Sequence, residues 1–348
     1  MAAEAPHRVS EAPRRVLYYT LDGDVTRANE LLEARGARAS IELVGQAHEP
    51  FRAPSPDELA GTEAVIGEFM PVIKQSVDDF AEAGVRLVAS MSIGLNHLDI
   101  EGLSKRGILV SNCPGYCAKD VAAHAVALML DLLRKVTFAN RDVLAGGWDP
   151  KVGYPVHRPD ALTLGLVFFG RIAREVAPVA RALGMRVLVW APTKGAAELE
   201  AAGCEKAETL DELLRASDVV SLHCPLIPET EHLIGARELA LMKPTAILVN
   251  TARGGCVDEE ALLAALDENL VSGGTRGICA VGLDTLEHEA SARNERLIHH
   301  PRAIVTPHSA YDSIEAADAL RRMSLDAVCE LLLDGTTPAN CVNAAARA

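Results

Sequence analysis

Short apolar runs alternate along this chain with longer stretches in which apolar residues recur every three or four positions. The runs at 16–20, 41–44, 64–67, 87–91 and 108–111 have the length of buried strands, and the segments 25–35 and 74–83 carry a helical period. This alternation predicts a first, smaller open α/β domain. The turn Asn112-Cys113-Pro114-Gly115 then marks a crossing between domains. Beyond it, residues 120–135 form a helix with little polar surface over 121–133. Further strands are predicted at 164–169, 187–190, 219–222, 247–250, 278–283 and 304–306. Helices are predicted at 172–183, 236–242, 259–266 and 314–333. Strands alternating with helices in this way build a parallel, doubly wound sheet that binds ligands at the carboxyl ends of its strands.

The stretch around which the chain is organised is 162–192. Its first strand leads to a turn at Gly170, and then Ile172, Val176, Val179, Ala180 and Leu183 recur at helical spacing until Gly184. Strand, helix and second strand together span about thirty residues, the size of one βαβ crossover. In a dinucleotide-binding fold this turn seats the pyrophosphate on the helix N-terminus, where free N–H groups and the helix dipole favour anions. The glycine fingerprint is damaged, however. Where G-x-G-x-x-G would stand, the chain reads Phe168-Phe169-Gly170-Arg171-Ile172-Ala173. Taken alone, this turn fits a plain α/β crossover at least as well as a nucleotide site.

At 348 residues the chain is long enough for two domains, and 4% aromatic content leaves cores of Ala, Val, Leu and Ile. A net charge of −14 argues against nucleic acid and membrane surface as partners, since both call for a basic face. No apolar run reaches the length of a membrane span. Residues 1–15 lack the hydrophobic stretch of a secretion signal and are expected to form a loose tail. The eight cysteines are scattered. Cys113 and Cys117 are near neighbours, but no second pair completes a zinc site, so no metal is expected and free thiols in a reducing cytoplasm are. The apolar excess of the 121–133 helix predicts a homodimer.

The strand ends carry more specific signals. Asn250-Thr251-Ala252-Arg253-Gly254-Gly255-Cys256-Val257-Asp258 resembles the signature of the D-isomer-specific 2-hydroxyacid dehydrogenases. So do Leu222-His223-Cys224-Pro225-Leu226-Ile227-Pro228-Glu229-Thr230, Gly282-Leu283-Asp284 followed by Glu289, and Thr306-Pro307-His308. Ser92-Ile93-Gly94 and Asn112-Cys113-Pro114-Gly115-Tyr116 extend the resemblance from about residue 60 to the C-terminus. It implies two doubly wound parallel-sheet domains, with a Rossmann-type nucleotide domain (113–309) inserted into a flavodoxin-like substrate domain (1–112 and 310–348) and the catalytic site in the cleft between them.

The resemblance also implies a chemistry: NAD(P)-dependent interconversion of a small 2-oxo acid and its D-2-hydroxy acid. His308 would move the proton, as imidazole can near neutral pH. Glu289 would pair with it and favour the imidazolium. Arg253 would offer a planar, permanently charged fork to the substrate carboxylate and carbonyl. The N–H groups of Ile93 and Gly94 would hold the carboxylate from the other domain. Cofactor contacts would come from Phe169, Gly170, Arg171, Ile172, Thr193, Lys194, Cys224, Pro225, Thr230, Thr251, Ala252, Arg253, Asp284 and His308. His97, His124 and His223 read as structural groups or as packing on the cofactor side. Taken singly, His308 or Arg253 would be an ordinary loop residue, and Glu289 an exposed one; it is their joint occurrence in the family's order that assigns them.

Within the family, the segments 92–99 and 308–312 resemble the D-lactate dehydrogenase branch, including the kind found with glycopeptide resistance. Glyoxylate or hydroxypyruvate reduction stays open. Phosphoglycerate oxidation is disfavoured by the lack of a C-terminal regulatory domain. The rival reading is a degenerate dehydrogenase that acts as a nucleotide-sensing, corepressor-like binding protein.

Departures from the family concern the cofactor. Phe168 replaces the first fingerprint glycine, Ala123 stands where an acidic residue usually precedes His124, and 269–277 is lengthened. Ala191 takes the place after the second strand where an Asp commonly binds the adenosine ribose and repels a 2′-phosphate. Lys194 and the Thr193 hydroxyl are near enough in sequence to receive that phosphate. The cofactor is therefore expected to be NAD(H) or NADP(H), with a slight preference for NADP(H) and loose binding of both beside Phe168.

Overall fold

A computed structural model describes residues 12–289 and 291–347. The chain divides into two compact units, Cys117–Asp312 and a discontinuous unit of Met1–Tyr116 with Ser313–Ala348. Most of the expected loose tail lies outside the described residues, but Arg14 and Arg15 already belong to the first strand.

The discontinuous unit carries strands β1 (Arg14–Thr20), β2 (Ile41–Ala47), β3 (Ala64–Gly67), β4 (Leu87–Ser90) and β5 (Leu109–Ser111). They form one sheet in the order β2-β1-β3-β4-β5, and every pairing is parallel. Val16 through Tyr19 are all buried, which is why β1 reads as a continuous apolar run and not as an alternation. One face packs Tyr18, Ile66 and Ala89 against Leu32 and against Leu325, Val328 and Leu332 of the helix Ile314–Leu332. That helix opens at Ser313, whose side chain accepts from Ala316 N–H. The other face packs Leu17, Val65 and Val88 against Phe80 and Leu103.

The second unit carries β6 (Thr163–Val167), β7 (Arg186–Trp190), β8 (Glu205–Lys206), β9 (Val219–Leu222), β10 (Ile247–Asn250), β11 (Ala280–Leu283) and β12 (Ala303–Val305). Their order is β12-β11-β10-β9-β6-β7-β8, again parallel throughout. The sheet winds outward from the β6–β9 pair in both directions, so the switch point lies between the carboxyl ends of those two strands. Both sheets are doubly wound and parallel, as expected.

Several boundaries differ from the sequence reading. The strand expected at 164–169 stops at Val167, because Phe168 turns left-handed (φ 70°). Phe168 thus adopts the backbone shape of the glycine it replaces, and its ring packs edge-on against Trp190 at 5.6 Å. The ring therefore lies against the end of β7 and not beneath the turn. The helix expected at 259–266 runs on through Glu259–Val271. There Asn269 is buried and donates to the carbonyls of Pro244 and Arg276, both at 2.8 Å, which ties down the lengthened segment. A polar residue holding a loop from a helix end breaks the apolar period that sequence reading relies on.

The apolar helix is Ala118–Arg134. Its Val126, Leu128, Met129 and Leu132 are buried in the core of their own unit with Leu164, Val176 and Val249. The excess apolar face that predicted a dimer is consumed there. Apolar side chains are instead exposed just beyond, in the unanticipated helix Val136–Leu144 and the loop after it: Val136, Val143, Leu144 and Trp148. No helix among the described residues is long and apolar enough to cross a membrane.

Candidate active site

Three strand ends of the second unit are tied together by backbone and buried side chains. Asp284 N–H, just past β11, donates to Asn250 O at the end of β10 (2.9 Å), and His308 N–H, past β12, donates to Asp284 O (2.8 Å). The Asp284 carboxylate is almost fully buried. Its oxygens accept from Thr306 Oγ1 (2.6 Å), Ser309 N–H (2.9 Å) and Ala310 N–H (3.0 Å). His124 Nε2 lies 2.9 Å from Thr306 Oγ1, completing a chain from imidazole to hydroxyl to carboxylate. A buried carboxylate is tolerated when its lone pairs are met in this way. Asp284, expected as a cofactor contact, thus holds the 306–310 loop, with His308 in the left-handed region at φ 52°.

That loop presents the ring of His308 to Glu289. Nδ1 lies 2.9 Å from Oε1 and 3.1 Å from Oε2 of the Glu289 carboxylate. With Nδ1–H given to the carboxylate, Nε2 is the nitrogen left for chemistry. Both side chains are a little under half exposed.

Arg253 lies in the turn after β10. Asn250, fully buried, closes this turn from within: its amide donates to Arg253 O (2.9 Å) and accepts from Ala252 N–H (3.0 Å). Gly254 allows the backbone of Leu286 and Glu287 to lie directly against the turn, since a Cβ there would meet Leu286 C at 1.9 Å. The segment leading to Glu289 is therefore packed against the turn that carries Arg253. The Arg253 guanidinium is exposed and donates to Ala252 O (2.7 Å). Sequence reading passed over Asn250 and Thr306 as positioning groups and took His124 for a structural or cofactor-side group. An Asn or Thr at the end of an apolar strand was the available signal.

In the discontinuous unit, Ile93 and Gly94 follow β4. Their carbonyls are occupied, Ile93 O by Asn112 Nδ2 (2.9 Å) and Gly94 O by Ser92 Oγ (2.8 Å). Ser92 Oγ is in turn held by Ser90 Oγ at 2.8 Å.

The residues around the switch point fit a dinucleotide. The helix Arg171–Ala182 starts at Gly170 with no side-chain cap and no acid in its first turn, so its first N–H groups suit an anion. A Cβ at Gly170 would meet nothing within 4 Å, which leaves the approach open. Along the carboxyl edge of the sheet, His223 Nδ1, Thr251 Oγ1 and Thr285 Oγ1 are buried without a protein partner. Such groups are satisfied when a polar ligand completes the site. His223 Nε2 meets Ser221 Oγ at 3.0 Å. The residue is half-buried with Nδ1 shielded, and burial pushes its pKa down to about 4.

Other expected cofactor contacts are placed less directly. The side chains of Phe169 and Cys224 point into the cores, Cys224 Sγ meeting Cys256 Sγ at 3.5 Å, so each can offer a ligand only its backbone. Thr230 spends its hydroxyl on Pro225 O (2.6 Å). Arg171, Thr193 and Pro225 are exposed, Ile172 is half-buried, and Ala252 is buried. Lys194 is paired with Glu198. Among the described residues no His, Cys, Asp and Glu cluster could hold a metal.

A doubly wound sheet that opens a phosphate-ready helix end at its switch point, with a histidine–carboxylate pair beyond β11 and β12 on the same edge, defines a nicotinamide-dependent oxidoreductase. Residues 126–310 match the family profile described as D-isomer specific 2-hydroxyacid dehydrogenase, NAD binding domain. The chain belongs to that family. It is 35% identical over 268 residues to a glyoxylate reductase of Thermococcus litoralis, covering 74% of this chain and 77% of the relative. With a hydroxypyruvate reductase of Thermotoga maritima it shares 37% identity over 256 residues, 72% of this chain and 78% of the relative. Its fold also matches a D-lactate dehydrogenase from Treponema pallidum, with a TM-score of 0.80 and 26% identity over 94% of this chain and 99% of the other.

Proposed function

We propose that this protein reduces glyoxylate or hydroxypyruvate to the corresponding hydroxy acid, with D configuration where the product is chiral. The observation that carries the reading is the His308–Glu289 pair, 2.9 Å apart, with the loop of His308 locked to the strand end by Asp284. His308 Nε2 gives a proton to the carbonyl oxygen during reduction and takes it back during oxidation. Glu289 orients the ring and stabilises its charged form. Arg253 clamps the carboxylate and carbonyl oxygens. A bound nicotinamide supplies the hydride. Identities of 35% to a glyoxylate reductase and 37% to a hydroxypyruvate reductase support these two acids.

No carboxylate stands at Ala191 to repel a 2′-phosphate, so NADPH is taken at least as well as NADH. Initial rates for glyoxylate, hydroxypyruvate and pyruvate with each cofactor test this directly. A pyruvate rate above both others would overturn the substrate assignment, and a tenfold preference for NADH the cofactor assignment. We further propose a cytoplasmic homodimer that covers Val136, Val143, Leu144 and Trp148. Sedimentation at micromolar concentration should give twice the chain mass, and Trp148→Glu should give a monomer; a monomeric parent would exclude the dimer.

A further inference from the structure

Two cations stand at the end of β7, where the adenosine ribose of a dinucleotide is held in this class of fold. Lys194 follows the strand, and Arg174 projects from the first turn of the helix after β6, its guanidinium 4.8 Å over the ring of Phe169. Both are held by one carboxylate. Glu198, in the first turn of the helix Ala196–Ala201, accepts through the same Oε1 from Lys194 Nζ at 3.0 Å and from Arg174 Nη2. The position where an acid is expected, residue 191, is a buried alanine.

On the reading that this sheet edge binds a dinucleotide, we infer that Glu198 determines cofactor choice. It competes for Lys194 and Arg174, the two cations that would receive a 2′-phosphate, and so limits the preference for NADPH that the missing acid at residue 191 opens. The Lys194 hydrogen bond, followed by that of Arg174, holds the Glu198 carboxyl below its usual range, so the group is ionised at neutral pH. Its side chain and that of Arg174 are about two-fifths exposed. An ion pair that exposed is weak and screened by salt, so a phosphate bearing close to two charges can compete for the same cations. The parent therefore accepts both cofactors, and Glu198 sets the ratio.

The test is direct binding, read by NAD(P)H fluorescence on the parent, on Glu198→Gln, and on Glu198→Gln with Lys194→Ala. Calorimetry with 2′,5′-ADP and 5′-AMP isolates the ribose end. Glu198→Gln should shift the ratio of dissociation constants about threefold to tenfold toward NADPH, the scale of one exposed charge near a protein surface. NADH affinity should change by less than about threefold, the 2′,5′-ADP result should follow NADPH, and the second substitution should reverse most of the gain. Raising ionic strength should shrink the shift. A ratio unmoved within about twofold, or equal tightening of both cofactors, overturns the role of Glu198 alone. A parent that binds neither dinucleotide overturns the dehydrogenase reading as well.

Discussion

At the scale of single residues, the site separates charge from geometry. Arg253 is exposed and held mainly by its own turn, so its guanidinium is available for a planar, two-pronged contact that no other cation reproduces. Arg253→Lys preserves the charge and removes the fork. We expect kcat/KM to fall at least tenfold, about 1.4 kcal/mol of transition-state binding, with both KM and kcat affected. Steady-state kinetics check this, and a loss of twofold or less would contradict it. Arg253, Glu289 and His308 could be singled out in the sequence because their motifs are long and ordered, and the structure brings His308 and Glu289 together. Asn250 and Thr306 lay inside the same motifs, but their roles depend on which way a buried side chain turns, and period and spacing do not encode that.

At the scale of elements, the loops after β10 and β11 are fitted to each other through Gly254. Gly254→Ala would drive a Cβ into the Leu286 backbone, which cannot swing aside. Thermal or denaturant unfolding should show a loss of roughly 1–3 kcal/mol, the scale of overpacking, and kcat/KM should fall with it as Arg253 and Glu289 move. Gly255→Ala is the control, because its Cβ would meet only the flexible Leu226 side chain, at 3.2 Å. Equal tolerance of both would contradict the close approach. Strands such as β3, β9 and β10 were legible to the residue, since a doubly covered parallel strand is a nearly continuous apolar run. The helices Val136–Leu144, Ala196–Ala201 and Leu210–Ala216 were missed. The first presents valine, leucine and polar residues with few buried positions, and the other two are short; their stability comes from packing and not from a strong local period. The end of β6 was misjudged because Phe168, an apolar residue, occupies a left-handed turn position.

At the scale of the whole molecule, pH acts through histidines that fold neutral. Burial lowers the pKa of His223 to about 4 and also lowers those of His97 and His300. A histidine whose folded pKa lies below its unfolded value supports the fold above pH 6.5 and withdraws that support as pH falls toward the folded pKa. Stability should therefore decline between pH 6.5 and 4, with His223 contributing up to roughly 3 kcal/mol. Denaturant titrations of the parent and of His223→Gln check this, and an equally steep decline in the variant would remove His223 from the account. The assignment of the reaction rests on a different histidine. The most direct measurement is NADPH-dependent and NADH-dependent reduction of hydroxypyruvate by the parent and by His308→Ala, with the product resolved on a chiral column. The parent should form D-glycerate, and the variant should lose about two to four decades in kcat, the scale of a general acid. A parent that forms L-glycerate or no product, or a variant that turns over at the parent's rate, would contradict the account.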